Sequence, residues 1–330
     1  MPDSVSNSTL AEQRAARAGR VVPISWERLP WWLLLVLFLG LLILFNVFIS
    51  ETYSDALRFI SGISVTKVAE TPQDEATQDE EAAKGWQLTV GSWRVTLLPE
   101  GIILTFISTI GGYALAAFIG LFTGLARTSK NVLIYTVATF YVEVVRGVPI
   151  IVQIIYWAFV VTPLLVQGFN SLGEYLLNNV GSAAFAISLA EMNIRAIPLN
   201  IRGVLALAIA YGAFEAEIYR AGIESIERGQ MEAARASGMT YVQAMRYIIL
   251  PQAIRRVLPP LGNDFIAMLK DSSLLSAIAV RELTQMGILN RSRTFRSVET
   301  YNLVAFLYLT MTLVLSMGVK FLERRMSIDE

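Results

Sequence analysis

"EAARASGMTYVQAMRYIILP", residues 232–251, places a polar helix, a glycine and a basic helix between apolar segments. Gln230 to Ser237 is an alanine-rich, helix-forming run that ends at Gly238, a residue able to take the left-handed conformation of a helix C′ position. Thr240 to Gln243 then matches a capping box, so a second helix restarts at once. That helix runs along Arg246 to Arg256 toward an apolar segment starting near Pro259 and Pro260. Ala233, Ala234 and Ala236 leave one surface flat enough for close approach by a partner. The pattern also admits a plain amphipathic interfacial hairpin that merely connects two spans.

The segments on either side are those of a polytopic membrane protein. The chain has 330 residues, 54% hydrophobic and 16% charged, too apolar for an ordinary soluble domain. Trp31 to Ile49, Gly101 to Ala126, Gly147 to Gly173 and Asn302 to Val319 are uncharged runs of bilayer length. Trp31 to Ile49 is longer than a signal-peptide core, and Val47-Phe48-Ile49-Ser50 offers no small-x-small cleavage site, so it reads as a retained span. Two further spans are weaker: Gly203 to Phe214 supplies twelve residues and Val257 to Leu269 thirteen. Charge placement supports them, because Arg220, Arg228, Arg235, Arg246, Arg255 and Arg256 cluster between them as in a cytoplasmic loop. The expected fold is all-α with about six transmembrane helices and both termini cytoplasmic. Fifteen of the twenty-seven Lys and Arg fall in inside segments; Arg281, Arg291, Arg293 and Arg296 break the rule by falling outside.

Residues 1–29 read as a disordered cytoplasmic tail, 30–50 as an N-terminal span, 51–98 as an acidic extracytoplasmic loop, and 99–328 as the main membrane domain with its hairpin at about 220–257. Beyond Pro163 the chain reads as loop-like, with a short apolar piece from Ala183 to Ala190. Cysteine and histidine are absent, which removes disulfides, thiolate and imidazole metal sites and His-based triads; no catalytic or metal residue is expected. No G-x-x-x-x-G-K-[ST] phosphate loop occurs either.

Charges at membrane depth are the remaining candidates. Glu143 and Arg146 lie three apart, share a helix face and are able to pair, just before Pro149 bends the helix. Lys270 and Asp271 lie equally deep, followed by Ser272, Ser273 and Ser276, which can hydrogen-bond across helices. These residues suit a pathway for a zwitterionic or charged solute, or they lock helices, with Lys270 paired to Asp271 or Asn263. Glu215 and Glu217, beside Arg220, read as gate or packing residues.

Glu232-Ala233-Ala234, three residues, Gly238, nine residues, then Ile248-Ile249-Leu250-Pro251 resembles the EAA motif of permease subunits of prokaryotic ABC-type importers. "YVEVVRGVPIIVQ" (141–153), "GAFEAEIYRAGIESIERGQ" (212–230) and "LPQAIRRVLPPLGNDFIAMLKDSSLLSAIAVREL" (250–283) extend the resemblance to polar amino-acid permeases of the histidine and glutamine/glutamate type, over about residues 97–328. The added first span, the acidic loop and a longer insert at 166–198 depart from the short members and look like the larger permeases of paired systems. The resemblance implies a five-helix importer core plus one extra span, in a prokaryotic inner membrane. It makes 232–251 the coupling helix, with Gln230, Glu232, Ala233, Ala234, Gly238, Leu250 and Pro251 meeting a cytoplasmic ATP-binding subunit. It also implies two such subunits, a second permease chain identical or related, an extracytoplasmic amino-acid-binding protein, and ATP with Mg held by the partner, with no cofactor on this chain and no nucleic acid. Two other readings stand beside it: a secondary transporter driven by an ion gradient, and a membrane-embedded enzyme or scaffold.

Overall fold

The computed structural model describes residues 40–41, 51–67, 86–90, 93–97, 100–179 and 184–326. The expected tail and nearly all of the expected N-terminal span lie outside these. Residues 1–49 and residues 50–330 form two separate units.

The helices of the second unit are α1 Glu51–Ser61, α2 Ile102–Arg127, α3 Val132–Gly147, α4 Ile150–Asn179, α5 Ala184–Ala190, α6 Leu199–Glu224, α7 Arg228–Ala236, α8 Tyr241–Ala244, α9 Leu250–Asp271, α10 Leu283–Thr294 and α11 Ser297–Met326. Of these, α2, α4 and α11 are long and apolar enough to cross a membrane. The helical membrane architecture is therefore as the sequence indicates. Between α1 and α2 the described residues add a small antiparallel sheet in the order β1-β3-β2: β1 Ile63–Lys67, β2 Trp86–Val90 and β3 Trp93–Leu97. Ile63 pairs with Leu97, and Trp86 pairs with Leu97 on the other edge. The acidic loop thus begins and ends in ordered structure.

The core is built on the pairing of α2 with α6. On α2 the buried positions are Thr105, Ser108, Thr109, Gly112, Ala116, Gly120, Gly124 and Arg127, three or four apart except for the adjacent Ser108 and Thr109, while Ile107, Ile110, Phe118 and Phe122 face outward. This inversion is what a membrane demands: lipid accepts the large apolar side chains, and small residues let helix backbones close on one another. A β-carbon on Gly124 would stand 2.8 Å from the carbonyl oxygen of Ala216, so any side chain there pushes the helices apart. Helices α3, α4 and α9 surround α6, and α11 packs on α9.

One expectation is corrected, and two of the expected spans prove to be parts of longer helices. Residues 163–198 are largely helical, with α4 continuing through Thr162 to Asn179 and α5 packed against it; Pro163 lies inside this helix, directly after a wider π-type turn at Trp157–Val161, where the regular i→i−4 ladder is already interrupted. The helix that carries the fifth span begins well before Pro259. From Tyr241 to Asp271 the chain is helical throughout, Met245–Ile249 being a wider, π-type turn, and Pro259 and Pro260 lie inside α9. The weak fourth span, Gly203 to Phe214, belongs to a 26-residue helix about 39 Å long, whose hydropathy is diluted by buried small residues and by Glu215.

Candidate functional site

The hairpin hangs from the end of α6. Ser225 caps that helix, its Oγ donating to the Gly222 carbonyl (2.7 Å), and the Arg256 guanidinium donates to the Ser225 carbonyl (2.5 Å). A charge beside a helix C-terminus is favourable, and this one ties α6 to α9. Beneath the hairpin Ile226, Ile249 and Ala253 are buried together, with Ile223, Met231, Met245 and Ile248 packed around them. That apolar cluster sets α7 against the base of α9.

The turn between α7 and α8 is fully specified by local bonds. Gly238 has φ +85°, its N–H donates to the Arg235 carbonyl (3.0 Å), and the Met239 N–H donates to the Ala234 carbonyl (3.2 Å). These two bonds are the Schellman termination. Thr240 follows as the N-cap of α8: its N–H donates to Gln243 Oε1 (2.9 Å) and the Gln243 N–H donates to Thr240 Oγ1 (3.3 Å). Gln230, Glu232, Ala233, Gly238, Leu250 and Pro251 are exposed, and Glu232 has no hydrogen bond or ion pair among the described residues. Ala234 differs. It is buried, so it packs the hairpin onto its base, and the flat outer surface is made by Ala233 and Ala236.

Above the hairpin, Arg127 at the end of α2 is bonded to Glu217, which is also bonded to Arg220, and Arg220 reaches Glu224 at 2.5 Å. Glu217 is therefore a packing residue that fastens α2 to α6. Glu215, two residues away, is fully buried, and neither carboxyl oxygen has a partner.

The mid-membrane candidates do not form one cluster. Glu143 and Arg146 make no ion pair: both are exposed, and the guanidinium lies over the ring of Phe214, 5.4 Å from its centroid. A cation over an aromatic face is attracted by the ring quadrupole, and this draws Arg146 toward α6. Nor does Lys270 pair with Asp271 or Asn263. Lys270 is exposed, while Asp271 accepts from the Tyr211 hydroxyl (2.8 Å). Ser272 is buried with its hydroxyl donating to the Leu269 carbonyl (2.7 Å), and Ser273 is half-buried. At the break before Pro149, Gln153 Nε2 donates to the carbonyls of Val145 and Val148, each at 2.7 Å, satisfying backbone that lipid cannot.

Residues 116–328 match the family described as the binding-protein-dependent transport system inner membrane component. The chain belongs to this family. Among relatives of this permease, the glutamine transport system permease protein GlnP of Escherichia coli (strain K12) is 37% identical over 234 residues, 71% of this chain and 94% of the relative. The probable glutamine ABC transporter permease protein GlnM of Bacillus subtilis (strain 168) is 34% identical, covering 69% of this chain and 92% of the relative. The arginine transport system permease protein ArgU of Corynebacterium glutamicum is 34% identical, covering 68% and 65%. A crystal structure of an amino acid ABC transporter with histidines is similar at 34% identity and a TM-score of 0.55, over 78% of this chain and 99% of that one.

At the opposite end of the permease lies a polar cluster that sequence reading missed. Glu282 caps α10, accepting from the N–H of Thr284 and of Gln285 (2.8 Å each) and from the Tyr308 hydroxyl (2.8 Å). Complete burial pushes its carboxyl up to about 7, against those three donors. A capping acid before a helical run was the available signal; the contribution of Tyr308, 26 residues away, had none.

Proposed function

We propose that this chain is the membrane subunit of an ATP-driven importer for polar or charged amino acids, with both termini cytoplasmic. The observation that carries the reading is the hairpin: an exposed, unpartnered Glu232 on a helix held rigid by a Schellman turn, a capping box and an apolar base. Such a surface fits a cleft on a cytoplasmic ATP-binding subunit, two of which close on ATP with Mg. This chain's share is mechanical. α7 takes the push, the cluster around Ile226 and Ile249 passes it to α9, and the Arg127–Glu217–Arg220 linkage passes it through α6 to α2, switching a packed bundle between two arrangements.

The exposed groups Glu143, Arg146 and Lys270, with Asp271, Ser272 and Ser273 beside them, would border the path, and Glu215 and Glu217 would lie at its cytoplasmic end. Relatives named for glutamine and arginine transport support the substrate class. An extracytoplasmic binding protein would deliver the amino acid, and a second permease chain would complete the path.

The test is uptake of radiolabelled glutamine, glutamate and arginine into liposomes holding the chain with its ATP-binding subunit and binding protein. Uptake that needs both ATP and the binding protein is expected. Uptake driven by an imposed ion gradient without ATP would replace this reading with a secondary transporter.

A further inference from the structure

The turn between α10 and α11 carries Arg293 and Arg296, two of the basic residues that the charge pattern leaves on the extracytoplasmic side. Helix α1 packs against both helices there, and the Arg293 guanidinium lies over the Phe59 ring, 4.7 Å from its centroid. Between these elements is a cavity of about 450 Å³, inside the range of small-molecule sites, about 300–1,000 Å³. Its polar lining is Asp55 of α1, Asn290 and Thr294 of α10, Arg296 of the turn, and Glu299 and Thr300 of α11. The neutral groups brace one another: the Asn290 side-chain amide donates to Thr300 Oγ1 (2.9 Å), and the Thr294 hydroxyl donates to the Asn290 carbonyl (2.9 Å) and accepts from the Arg296 N–H (3.3 Å). The acids are not braced. Asp55 is exposed and Glu299 half-buried, and among the described residues neither carboxylate has a hydrogen bond or an ion pair.

Two carboxylates and one guanidinium on a single cavity wall call for a ligand with two cationic groups and one anionic group, each held by charge-assisted hydrogen bonds. An amino acid with a basic side chain has that set: an ammonium, a side-chain cation and a carboxylate. Glutamine has one cation too few and leaves a carboxylate unanswered, and glutamate adds a like charge. We propose that this cavity binds arginine or lysine on the extracytoplasmic face, with Asp55 and Glu299 holding the two cationic groups and Arg296 the carboxylate. The proposal rests on the importer reading for the ligand's class. It goes beyond that reading by placing a second site away from the mid-membrane candidates. One wall of that site comes from α1, which lies before the family match that starts at residue 116.

The test is binding of tritiated arginine to the full-length chain in detergent, without the ATP-binding subunit or the binding protein. Arginine should bind, unlabelled lysine should compete, and glutamine should need at least about ten-fold more to compete equally, the worth of one charged hydrogen bond. Asp55→Asn and Glu299→Gln should each weaken arginine binding by at least about ten-fold. Thr294→Trp fills the cavity without changing a charge and should do the same, so the outcome does not hang on the acids alone. Melting midpoints in detergent check that each variant is folded. Absence of arginine binding by the folded wild-type chain would overturn the proposal, as would wild-type affinity in any of the three variants or glutamine competing as well as lysine. Calcium that binds at this cavity and displaces arginine would overturn it too, since carboxylates and carbonyl oxygens are also ligands for that ion. Uptake does not enter the assay: ATP-dependent transport by a chain that fails it leaves the importer reading standing, and arginine binding by a chain that does not transport leaves the site standing.

Discussion

At Gly238 the backbone, and not crowding, excludes other residues. A β-carbon there would meet nothing within 4 Å, yet φ is +85°, a region that costs an L-residue about 1–2 kcal/mol and a β-branched one more. Gly238→Val should therefore insert normally but lose at least ten-fold in ATP-dependent uptake, whereas Gly238→Asn, which tolerates the left-handed region, should retain most of it. Equal uptake by the two variants would remove the coupling role from this turn. Glu282 supplies a pH test. Its carboxyl is raised from an ordinary value of 4.5 to about 7, so the fold favours the protonated acid. That stability is fully present below pH 4.5 and is lost as pH rises through 7, a change on the order of 3 kcal/mol. Thermal midpoints in detergent should fall between pH 5 and 8, and Glu282→Gln should flatten that slope.

At the scale of elements, the cytoplasmic ends of α2 and α6 depend on one ion-pair chain. Arg127 is nearly buried and Glu217 partly so. Glu217→Gln would leave the guanidinium without its counter-charge, destabilising the bundle by about 1–3 kcal/mol, less than for a fully buried pair. Detergent melting of Glu217→Gln, Arg127→Gln and the double variant should show the double costing less than the sum of the singles. The helix break before Pro149 rests likewise on one amide: Gln153→Leu strands the Val148 carbonyl, at about 1–3 kcal/mol, and leaves the Val145 carbonyl only the Val148 N–H at 3.4 Å.

How legible these features are in the sequence depends on how local each signal is. The Gly238 turn and the Thr240 cap lie within six residues of one another, and both were readable. The Glu143–Arg146 pair was misjudged because spacing shows what is within reach but not what competes, and Phe214, 68 positions further on, wins the guanidinium. The Asp271–Tyr211 and Glu282–Tyr308 bonds join distant segments and left no local trace. The helical stretch after Pro163 is obscured by its polar residues, and the π-type turn at Trp157–Val161 that accommodates the proline leaves no sequence signal.

At the scale of the whole molecule, the sidedness expected from the charge pattern can be checked directly because the chain is cysteine-free. A single cysteine at Ser237 should react with an impermeant maleimide only after cells are opened, and one at Ser292 should react in intact cells. The reverse result would invert the topology and place the hairpin where no ATP-binding subunit could reach it.

Gly101 makes the chain's length matter. It has φ +62°, a β-carbon there would stand 2.3 Å from the Ile60 carbonyl oxygen, and its own N–H donates to the Arg281 carbonyl at 3.0 Å. The family match begins only at residue 116, so α1 lies before it. Yet α1 rests directly on backbone at this point, with Ile60 and Ser61 buried, and the Phe59 ring lies under the Arg293 guanidinium. A segment outside the matched stretch is thus a keystone of it. A chain trimmed back to that stretch would not be a simpler permease, but one with an open joint between its outer helices.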